Sequence, residues 1–219
     1  MTGEFMRGCS RTAALAAVLL AASCTRCSTA TQSSGTGPSG QVVTQPEVPL
    51  ACEPQQGSEA LNERASPYDS TRITIGSRVA QVCYSRPSAK GRVIFGGLVP
   101  LDRLWRTGAN EPTIIHLPFA AEIAGLRVEP GSYSLYTVPG ATEWSIIVNR
   151  SISQWGHESQ YKPDIQAQEI GRAKVEPERL EAMQETFTIR TEAGGTDTVF
   201  LVLEWERTRV RVPVRAVGS

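Results

Sequence analysis

The sequence predicts an all-β domain, an antiparallel β-sandwich or jelly roll of about ten short strands. Two observations lead to this prediction. Nearly every periodic segment after residue 66 alternates apolar and polar side chains, which is typical of strands with one buried face. Gly and Pro turn signals separate these segments at short intervals, and only residues 177–183 fit a helical turn.

The individual strands follow from this alternation in chain order. The first two flank Gly76-Ser77, a compact hairpin signal. Residues 199–203 are apolar on both faces, as expected for a central strand. Residues 151–168 are polar and are predicted to form a long loop. The predicted strands are 72–75, 79–84, 113–117, 120–123, 126–128, 132–138, 143–149, 169–175, 185–191, 198–205 and 208–214.

The N-terminus predicts export. Residues 1–23 have the pattern of a signal peptide, with basic residues before an apolar segment that is too short to span a membrane. Small residues precede Cys24 and resemble a bacterial lipobox, in which the cysteine is lipidated. Thr25 follows in place of an Asp, which favours an outer-membrane destination. The alternative is an ordinary secretory peptide that is cleaved near Ala30 and carries no lipid.

Residues 24–65 are predicted to be a flexible tether, because they are rich in Ser, Thr, Gly and Pro and poor in aromatic side chains. About forty such residues have an r.m.s. reach of roughly 35 Å. Residues 66–219 then form one domain. With 22 basic and 22 acidic residues the net charge is zero, which argues against a nucleic-acid-binding protein and a polybasic membrane-surface protein. The expected contact with the membrane is the lipid at Cys24.

Cys52 and Cys83 are the candidates for a disulfide, which the oxidising cell envelope permits. The alternation over residues 79–84 places Cys83 with Gln81 on the more polar strand face, where the preceding chain can reach it. A bridge there would add roughly 3–4 kcal/mol to the free energy of unfolding in the chain-entropy model. The sequence alone does not decide whether Cys52 and Cys83 form this bridge or remain free thiols.

Residues 84–113 form an aperiodic stretch dense in Gly, Pro, Arg and aromatic residues, and such stretches are often functional. Trp105 is expected to anchor it. Four arginines lie close together in it, namely Arg86, Arg92, Arg103 and Arg106. One interpretation is structural, with these guanidinium groups paired to nearby carboxylates and loop carbonyls. The other is a pocket for an anion or a polar ligand, built by Arg106, Asn110 and Glu111 beside Trp105.

Several motifs in this stretch and beyond it resemble one family. They are Ser85-Arg86-Pro87-Ser88, Ile94-Phe95-Gly96-Gly97-Leu98-Val99-Pro100, Trp105-Arg106-Thr107-Gly108-Ala109-Asn110-Glu111, Pro130-Gly131-Ser132-Tyr133-Ser134-Leu135-Tyr136, Gln154-Trp155-Gly156 and Leu203-Glu204-Trp205-Glu206. Together they resemble the signature of the 2911 family of domains of unknown function, and the likeness covers residues 66–214. The resemblance implies a secreted or lipid-anchored bacterial β domain. It implies no activity.

Residues for metal binding or general base chemistry are few. His116 and His157 are the two histidines. His116 shares a strand face with Ile114 and is expected to be a half-buried structural residue. His157 and Trp155 lie in the polar loop, where they are candidates for ligand binding. Closely spaced metal ligands and phosphate-binding glycine loops are missing from the sequence, so we expect neither a metal nor a cofactor.

Hydroxyl and carboxylate groups for a hydrolase are available but form no recognisable motif. Ser85, Ser88 and Thr107 offer hydroxyls, and Asp102 and Glu111 offer a pair of carboxylates. A nucleophile-elbow motif is missing, and sequence separation does not define the distance between the two carboxylates.

Three functional hypotheses from different classes follow. The favoured one is a lipid-anchored binding module for a small polar or glycan-like ligand. Its predicted site consists of Trp105, Arg106, Asn110, Glu111, Trp155 and His157. The second is a structural or assembly lipoprotein that binds a protein partner, and it predicts that the arginines are all internally paired. The third is a hydrolase, with a carboxylate or a histidine in a polar pocket.

Overall fold

The computed structural model describes residues 47–55, 61 and 63–218. The predicted signal peptide, Cys24 and the first part of the predicted tether lie outside the described residues. The chain from Gln45 to Ser219 belongs to one compact unit. Among the described residues, no helix has both the length and the apolar character needed to cross a membrane.

Ten strands lie in the described part of the chain, together with one 3-10 turn and a one-turn helix. The strands are β1 (Tyr68–Ile75), β2 (Arg78–Ser85), β3 (Thr113–Leu117), β4 (Ala121–Ile123), β5 (Leu126–Val128), β6 (Gly131–Val138), β7 (Trp144–Asn149), β8 (Glu169–Val175), β9 (Pro177–Ala193) and β10 (Thr198–Ala216). The 3-10 turn is Glu158–Gln160 and the helix, α1, is Pro163–Gln166. The predicted all-β class is confirmed.

The strands form two sheets in which every pair of neighbours is antiparallel. One sheet has six strands in the order β1-β2-β3-β6-β7-β8, and the other has four in the order β5-β4-β10-β9. A single core contains side chains from both sheets, such as Val82 and Ile115 from the first and Ile123, Leu203 and Val212 from the second. The apolar faces of the two sheets are therefore packed together, as in a β-sandwich.

The β1–β2 hairpin shows how local sequence sets this arrangement. Gly76 opens its two-residue turn with φ +59°, a conformation that glycine adopts without a steric penalty. On β2 the alternate residues Ala80, Val82 and Tyr84 belong to the core. Cys83 is buried as well, but it lies on the opposite face of the strand.

The helical turn predicted at residues 177–183 is wrong, because these residues begin strand β9. Pro177 pairs with Val210 in the second half of β10, so tertiary pairing overrides the local preference for a helix. Strand β10 also runs without a break where the sequence predicts two strands. Glu206 has φ +55° and lies at the register shifts between β9 and β10, and such a bulge lets a long strand bend while it stays paired.

An aromatic cluster forms part of the core. Its members are Phe95, Trp105, Trp144, Phe187 and Trp205. The rings of Trp105 and Trp205 are stacked with centroids 5.8 Å apart, and Phe187 meets Trp105 edge-on at 5.2 Å. Aromatic pairs at these separations add to the stability of the core beyond the area that they bury.

Residues 47–55, here called the strap, belong to the segment that the sequence assigns to the tether, and two contacts hold them against the domain. A disulfide joins Cys52 to Cys83 on the outer face of β2, with Cα atoms 5.6 Å apart. The Gln55 side chain donates a hydrogen bond to the Gln154 carbonyl at 2.8 Å. The outer face of the six-stranded sheet is thus partly covered from the N-terminal side of the chain.

Residues 151–168, here called the outer loop, cover another part of the same face. Ser134 Oγ donates to the Ser151 carbonyl at 2.7 Å, and the Asn149 amide donates to the Ile165 carbonyl at 2.7 Å. Ser134 and Asn149 are both fully buried and lie opposite each other in the sheet. The loop contains the 3-10 turn and α1, so the predicted polar loop carries a small amount of helix.

Candidate functional site

A cavity of about 590 Å³ opens beside Trp105, and we call it the Trp105 cavity. Trp105 and Trp205 give it an apolar wall. Its lining also contains four basic side chains and one acidic side chain, namely Lys90, Arg92, Arg103, Arg106 and Glu158. Cavities for small molecules commonly combine an apolar surface with a few charged or polar groups in this way.

Trp105 is held rigidly in this wall. Its backbone exchanges two hydrogen bonds with Thr137 of β6, N–H to O at 2.7 Å and O to N–H at 2.9 Å. Its indole N–H donates to the Gly108 carbonyl at 3.1 Å. Trp105 is almost completely buried, although it lines the cavity. The residue therefore fixes the loop and shapes the cavity.

The backbone after Trp105 is strained. Thr107 has φ +56° although its branched side chain disfavours that region, and Asn110 has φ +62°. The Thr107 conformation is held by Thr113 Oγ1, which donates to the Thr107 carbonyl at 2.6 Å. Thr107 Oγ1 also lies 3.2 Å from Thr137 Oγ1. Backbone strain of this kind is concentrated at ligand sites and active sites, because it must be maintained by surrounding contacts.

Arg106 links the strained loop to the outer loop. Its Nη1 donates to the Asn110 carbonyl at 3.1 Å, and its Nε lies 3.4 Å from Glu158. Gly156 packs so closely that a Cβ atom there would lie 2.4 Å from the Asn110 carbonyl oxygen. The Trp105–Glu111 motif and the Gln154–Gly156 motif therefore meet at this point, and only glycine fits the contact.

Three of the four cations at the cavity have no carboxylate partner within the described part of the chain. Arg92 donates to two neutral carbonyls, those of Ala89 at 2.9 Å and Ser88 at 2.7 Å. The side chains of Lys90 and Arg103 have no hydrogen-bond or ion-pair partner among the described residues. Arg106 is the fourth cation, and it forms an ion pair with Glu158. The lining of the cavity therefore has an excess of positive charge, which favours an anion.

The remaining predicted site residues lie elsewhere. Glu111 lines a separate cavity of about 180 Å³, which we call the Glu111 cavity, and its carboxylate binds Arg64 at 2.9 and 3.0 Å. The Asn110 amide donates to Ser85 Oγ at 3.3 Å. Trp155 is half-buried and lines neither cavity. His157 is exposed and accepts the Ser159 N–H, so it caps the 3-10 turn. Of the predicted residues, only Trp105 and Arg106 share a cavity.

The Glu111 cavity contains two groups with shifted pKa values. Burial, and to a smaller extent the nearby Glu111 carboxylate, raises the pKa of Tyr68 to about 12. Burial also lowers the pKa of His116, so the imidazole is favoured in its neutral form. His116 Nδ1 is 2.7 Å from Ser132 Oγ. Within the described residues, no group of three or more His, Cys, Asp or Glu side chains is arranged to hold a metal ion.

The hydroxyls that the sequence offers for catalysis are engaged in other contacts. Ser85 Oγ accepts from Asn110, and Ser88 Oγ lies 3.1 Å from Thr186 Oγ1. In the described part of the chain, neither histidine is hydrogen-bonded to Ser85, Ser88 or Thr107. This arrangement does not support a serine–histidine pair.

Four further residues line the Trp105 cavity although the site predicted from the sequence does not include them: Lys90, Leu98, Glu158 and Trp205. Trp205 lies on β10, far along the chain from Trp105, and only the packing of the two sheets brings them together. The alternation of apolar residues on β10 predicts that the Trp205 side chain points inward, as that of Leu203 does. It does not predict that Trp205 packs against Trp105. In the outer loop the sequence predicts His157 as a site residue, whereas the residue that lines the cavity is its neighbour Glu158.

Comparison with known proteins identifies the family. Residues 66–214 match the model of a protein family of unknown function, DUF2911. The match covers more than half of the chain, and the chain belongs to this family. The resemblance seen in the sequence motifs is thereby confirmed. Neither a curated protein nor a solved structure matches the chain.

Proposed function

We propose that this member of the DUF2911 family is a binding module of the cell envelope, and that its ligand occupies the Trp105 cavity. The ligand is a small molecule that carries an anionic group beside an aromatic or aliphatic part. One observation carries this proposal: the cavity joins the apolar wall of Trp105 and Trp205 to four basic side chains with a single carboxylate. A volume of about 590 Å³ is within the range of small-molecule sites.

The charge of the lining favours an anion over a neutral glycan. A neutral sugar presents hydroxyls, for which amide and carboxylate side chains are suitable partners. Arginine presents a planar fork of donors that matches a carboxylate or a phosphate. The polar or glycan-like ligand predicted from the sequence is therefore narrowed to an acidic one, such as an acidic sugar or an aromatic carboxylate.

Arg103 distinguishes this proposal from an assembly lipoprotein. The assembly hypothesis predicts that all four arginines of the stretch are internally paired. Arg86 binds Asp69 and the Phe187 carbonyl, and Arg92 and Arg106 bind loop carbonyls. Arg103 is exposed and has no such partner among the described residues. A cation that lines a cavity without an internal partner is available to a ligand.

We also propose that the domain is exported and anchored through a lipid on Cys24, with an outer-membrane destination. The pattern of residues 1–23 and the small residues before Cys24 support this proposal. The Cys52–Cys83 disulfide supports it independently, because such bonds persist in oxidising compartments. Metabolic labelling with palmitate tests it: the wild-type chain is expected to carry label, and a Cys24→Ser chain is expected to carry none. A wild-type chain without label would contradict lipidation.

The test of the ligand proposal compares matched pairs of small molecules, each an aromatic or acidic-sugar carboxylate with its neutral amide. Thermal unfolding of residues 45–219 is the readout. A ligand at a hundred times its dissociation constant is expected to add about 2.7 kcal/mol to the free energy of unfolding. Carboxylates are expected to stabilise the protein and amides are not. Equal responses to both members of each pair would contradict an anion site.

Arg103→Gln is the variant that localises the site. Arg103 is exposed and lacks an internal partner, so its replacement is expected to leave the melting temperature unchanged. Loss of one charged contact is expected to weaken ligand binding about tenfold. Arg127→Gln is the matched control, since Arg127 is equally on the surface but lines neither cavity. An Arg103→Gln protein that binds as the wild type does would remove the Trp105 cavity from the proposal.

A further inference from the structure

The Glu111 cavity contains a contact between a histidine and a serine. His116 of β3 and Ser132 of β6 lie directly opposite each other in the six-stranded sheet, and both line the cavity. Nδ1 of His116 lies 2.7 Å from Ser132 Oγ. The two residues are 16 positions apart in the chain, and Ser132 is not among the serines that the sequence offers for catalysis. The register of the two strands, rather than a sequence motif, forms this pair.

The direction of this hydrogen bond is the one that base catalysis requires. Within the described residues, Ser132 Oγ has no other hydrogen-bond partner, so its hydroxyl donates to Nδ1 of His116. A neutral imidazole has one donor and one acceptor nitrogen, so Nε2 carries the proton. Burial lowers the pKa of His116 below its ordinary value of 6.5, so the ring is neutral at pH 7 and can accept a proton. A serine hydroxyl that donates to a neutral histidine is the arrangement that activates a nucleophile.

The charged groups around the pair are compatible with proton transfer to the histidine. Glu53 of the strap also lines the cavity, and its carboxylate opposes part of the decrease in the pKa of His116. It therefore stabilises the imidazolium that forms when His116 takes a proton. The other carboxylate, that of Glu111, is neutralised by Arg64, whose Nη1 lies 2.9 Å from Oε2.

Tyr68 supplies a hydrogen-bond donor to the same cavity. Its pKa of about 12 keeps the phenol protonated at neutral pH. In the described part of the chain, no residue forms a hydrogen bond with the Tyr68 hydroxyl, so the hydroxyl is available to a bound molecule. Such a donor stabilises the negative oxygen that develops on a carbonyl group under attack.

The cavity is accessible to small molecules. Glu53 and Ile152 line it and are exposed to solvent, whereas His116 is 8% exposed and Ser132 is half-buried. A volume of about 180 Å³ lies below the range of drug-sized sites, so the cavity admits a small acyl group and rejects a long one. The negative charge of Glu53 disfavours an acidic acyl group.

We propose that the Glu111 cavity is an acyl-transfer site for a small neutral ester, with Ser132 as the nucleophile and His116 as the general base. Ser132 Oγ attacks the carbonyl carbon, and its proton passes to Nδ1 of His116. The same proton then passes to the alcohol oxygen as the C–O bond breaks, so the alcohol leaves and the acyl group stays on Ser132. Water attacks this acyl group and gives a proton to His116, which returns it to Ser132 Oγ as the acid leaves.

This activity is separate from the anion binding proposed above. Among the described residues, the Trp105 cavity and the Glu111 cavity have no lining residue in common. Binding of carboxylates in the Trp105 cavity is therefore expected to be unchanged by substitutions at Ser132 and His116, and either proposal can fail while the other stands.

The protein contains its own control for the nucleophile. Nδ1 of His157 also lies 2.7 Å from a serine hydroxyl, that of Ser159, but these two residues are exposed and line neither cavity. Methanesulfonyl fluoride, a small reagent that sulfonylates activated serines with loss of fluoride, is added to the full-length protein, and mass spectrometry locates the modified peptides. Ser132 is expected to be modified and Ser159 is not. An unmodified Ser132, or equal modification of both serines, would overturn the proposal.

The pH dependence of this modification identifies the base in the wild-type protein. Only neutral His116 accepts the proton, so the rate is expected to rise as the pH passes through the pKa of His116, below 6.5, and to be constant from about pH 7 to 8. A serine without a base reacts faster with every increase in hydroxide concentration. A rate that keeps rising in proportion to hydroxide would therefore overturn the proposal.

Two variants complete the test. His116→Gln keeps a hydrogen-bond partner for Ser132 but removes the base, and it is expected to slow the modification about a hundredfold. His157→Gln is the matched control and is expected to react at the wild-type rate. Ser132→Ala is expected to lose the hydrolysis of 4-nitrophenyl acetate that the wild type shows, and wild-type hydrolysis by this variant would overturn the proposal. A well-folded His116→Gln protein that is modified as fast as the wild type would do the same. If His116→Gln melts earlier, the wild-type pH profile decides.

Discussion

The outer face of the six-stranded sheet is covered by the strap and the outer loop, whereas the outer face of the four-stranded sheet carries charged side chains that reach solvent. On the covered face, Ser134 and Asn149 are completely buried and are bonded to the outer loop. Gln154 of that loop donates to Tyr136 Oη at 3.0 Å. These groups are polar and uncharged, which lowers the free-energy cost of removing them from water.

The outer face of the four-stranded sheet has a continuous line of ion pairs instead. Its members in spatial order are Arg209, Glu204, Arg190, Glu192, Arg211 and Glu178. Arg190 bridges Glu204 at 3.0 Å and Glu192 at 2.7 Å. The Glu178 side chain at one end of the line is 48% exposed, whereas Glu204 near the other end is only 10% exposed. Except at Glu204, the charges on this face therefore keep part of their hydration.

The difference between the faces predicts where stability depends on single groups. A buried polar group that loses its partner has no water to replace it, so its loss is costly. An exposed ion pair contributes little, because water and salt screen it. The segments that cover the six-stranded sheet also reach the candidate site: the outer loop supplies Glu158 to the Trp105 cavity, and the strap lines the Glu111 cavity. Among the described residues, the segments that cover the six-stranded sheet therefore contribute both to stability and to the lining of the two cavities.

The largest loss in the free energy of unfolding is expected from Glu111→Ala. The Glu111 carboxylate and the Arg64 side chain are 2% and 5% exposed, so the variant breaks an ion pair that is buried on both sides. Breaking such a pair is expected to lower the free energy of unfolding by about 3–5 kcal/mol. Glu129→Ala is the matched control, because its pair with Arg127 is exposed on both sides, and no measurable change is expected. Urea unfolding of both proteins measures the difference, and similar values for the two would contradict the comparison.

The next effect is expected from removal of the disulfide. Cys52 and Cys83 are 31 residues apart, and a loop of that length contributes about 3–4 kcal/mol in the chain-entropy model. A protein with both Cys52→Ser and Cys83→Ser is expected to unfold at correspondingly lower urea concentration. The wild type in reductant is expected to match it. A wild type whose stability does not respond to reductant would show that the disulfide adds nothing to the stability of the fold.

A smaller effect is expected from Asn149→Ala. The amide of Asn149 donates to the Ile165 carbonyl and to Tyr161 Oη, and its oxygen accepts from the Ser151 N–H. Loss of these bonds is expected to cost about 1–3 kcal/mol. Gln168→Ala is the control, because its amide makes an exposed bond to the same loop, and little change is expected. An equal loss in the free energy of unfolding of both variants would mean that burial of the hydrogen bond does not determine its contribution to stability.

The sequence predicts the core of this protein well and the covers of its sheet poorly. Alternation identifies Ala80, Val82 and Tyr84 as inward residues because a strand has a fixed period of two. The strap and the outer loop have no such period. Their positions depend on the Cys52–Cys83 disulfide, which the sequence offers as one of two alternatives, and on single hydrogen bonds. The bond from Gln55 to Gln154 is an example that local sequence does not determine.

The candidate site, too, was only partly predictable from the sequence. Trp105 and Arg106 can be predicted from the aperiodic stretch, and they share a cavity. Glu111 belongs to the same motif but lies in the other cavity, because the chain between them turns at Thr107 and Asn110. A branched threonine at φ +56° is contrary to its intrinsic preference, so only the tertiary bonds that hold it explain the turn.

The smallest effect is expected on the four-stranded face, where Glu192→Gln breaks the line of ion pairs. Arg211 and then Arg190 hold the pKa of Glu192 at about 2, below its ordinary value of 4.5. The folded state thus binds its proton at lower pH than the unfolded state does. The stabilising contribution of Glu192 is therefore complete above pH 4.5 and is lost as the pH falls toward about 2.

At neutral pH, Glu192→Gln is expected to lower the free energy of unfolding by less than about 1 kcal/mol, because the pair is partly exposed. Added salt is expected to reduce even this difference. The melting temperatures of the wild type and the variant should converge below pH 4.5, because the protonated wild-type side chain then resembles the amide. Glu143→Gln, which breaks an exposed pair with Lys174, is the control. A loss at Glu192 as large as that at Glu111 would mean that the four-stranded face is no more hydrated than the covered one.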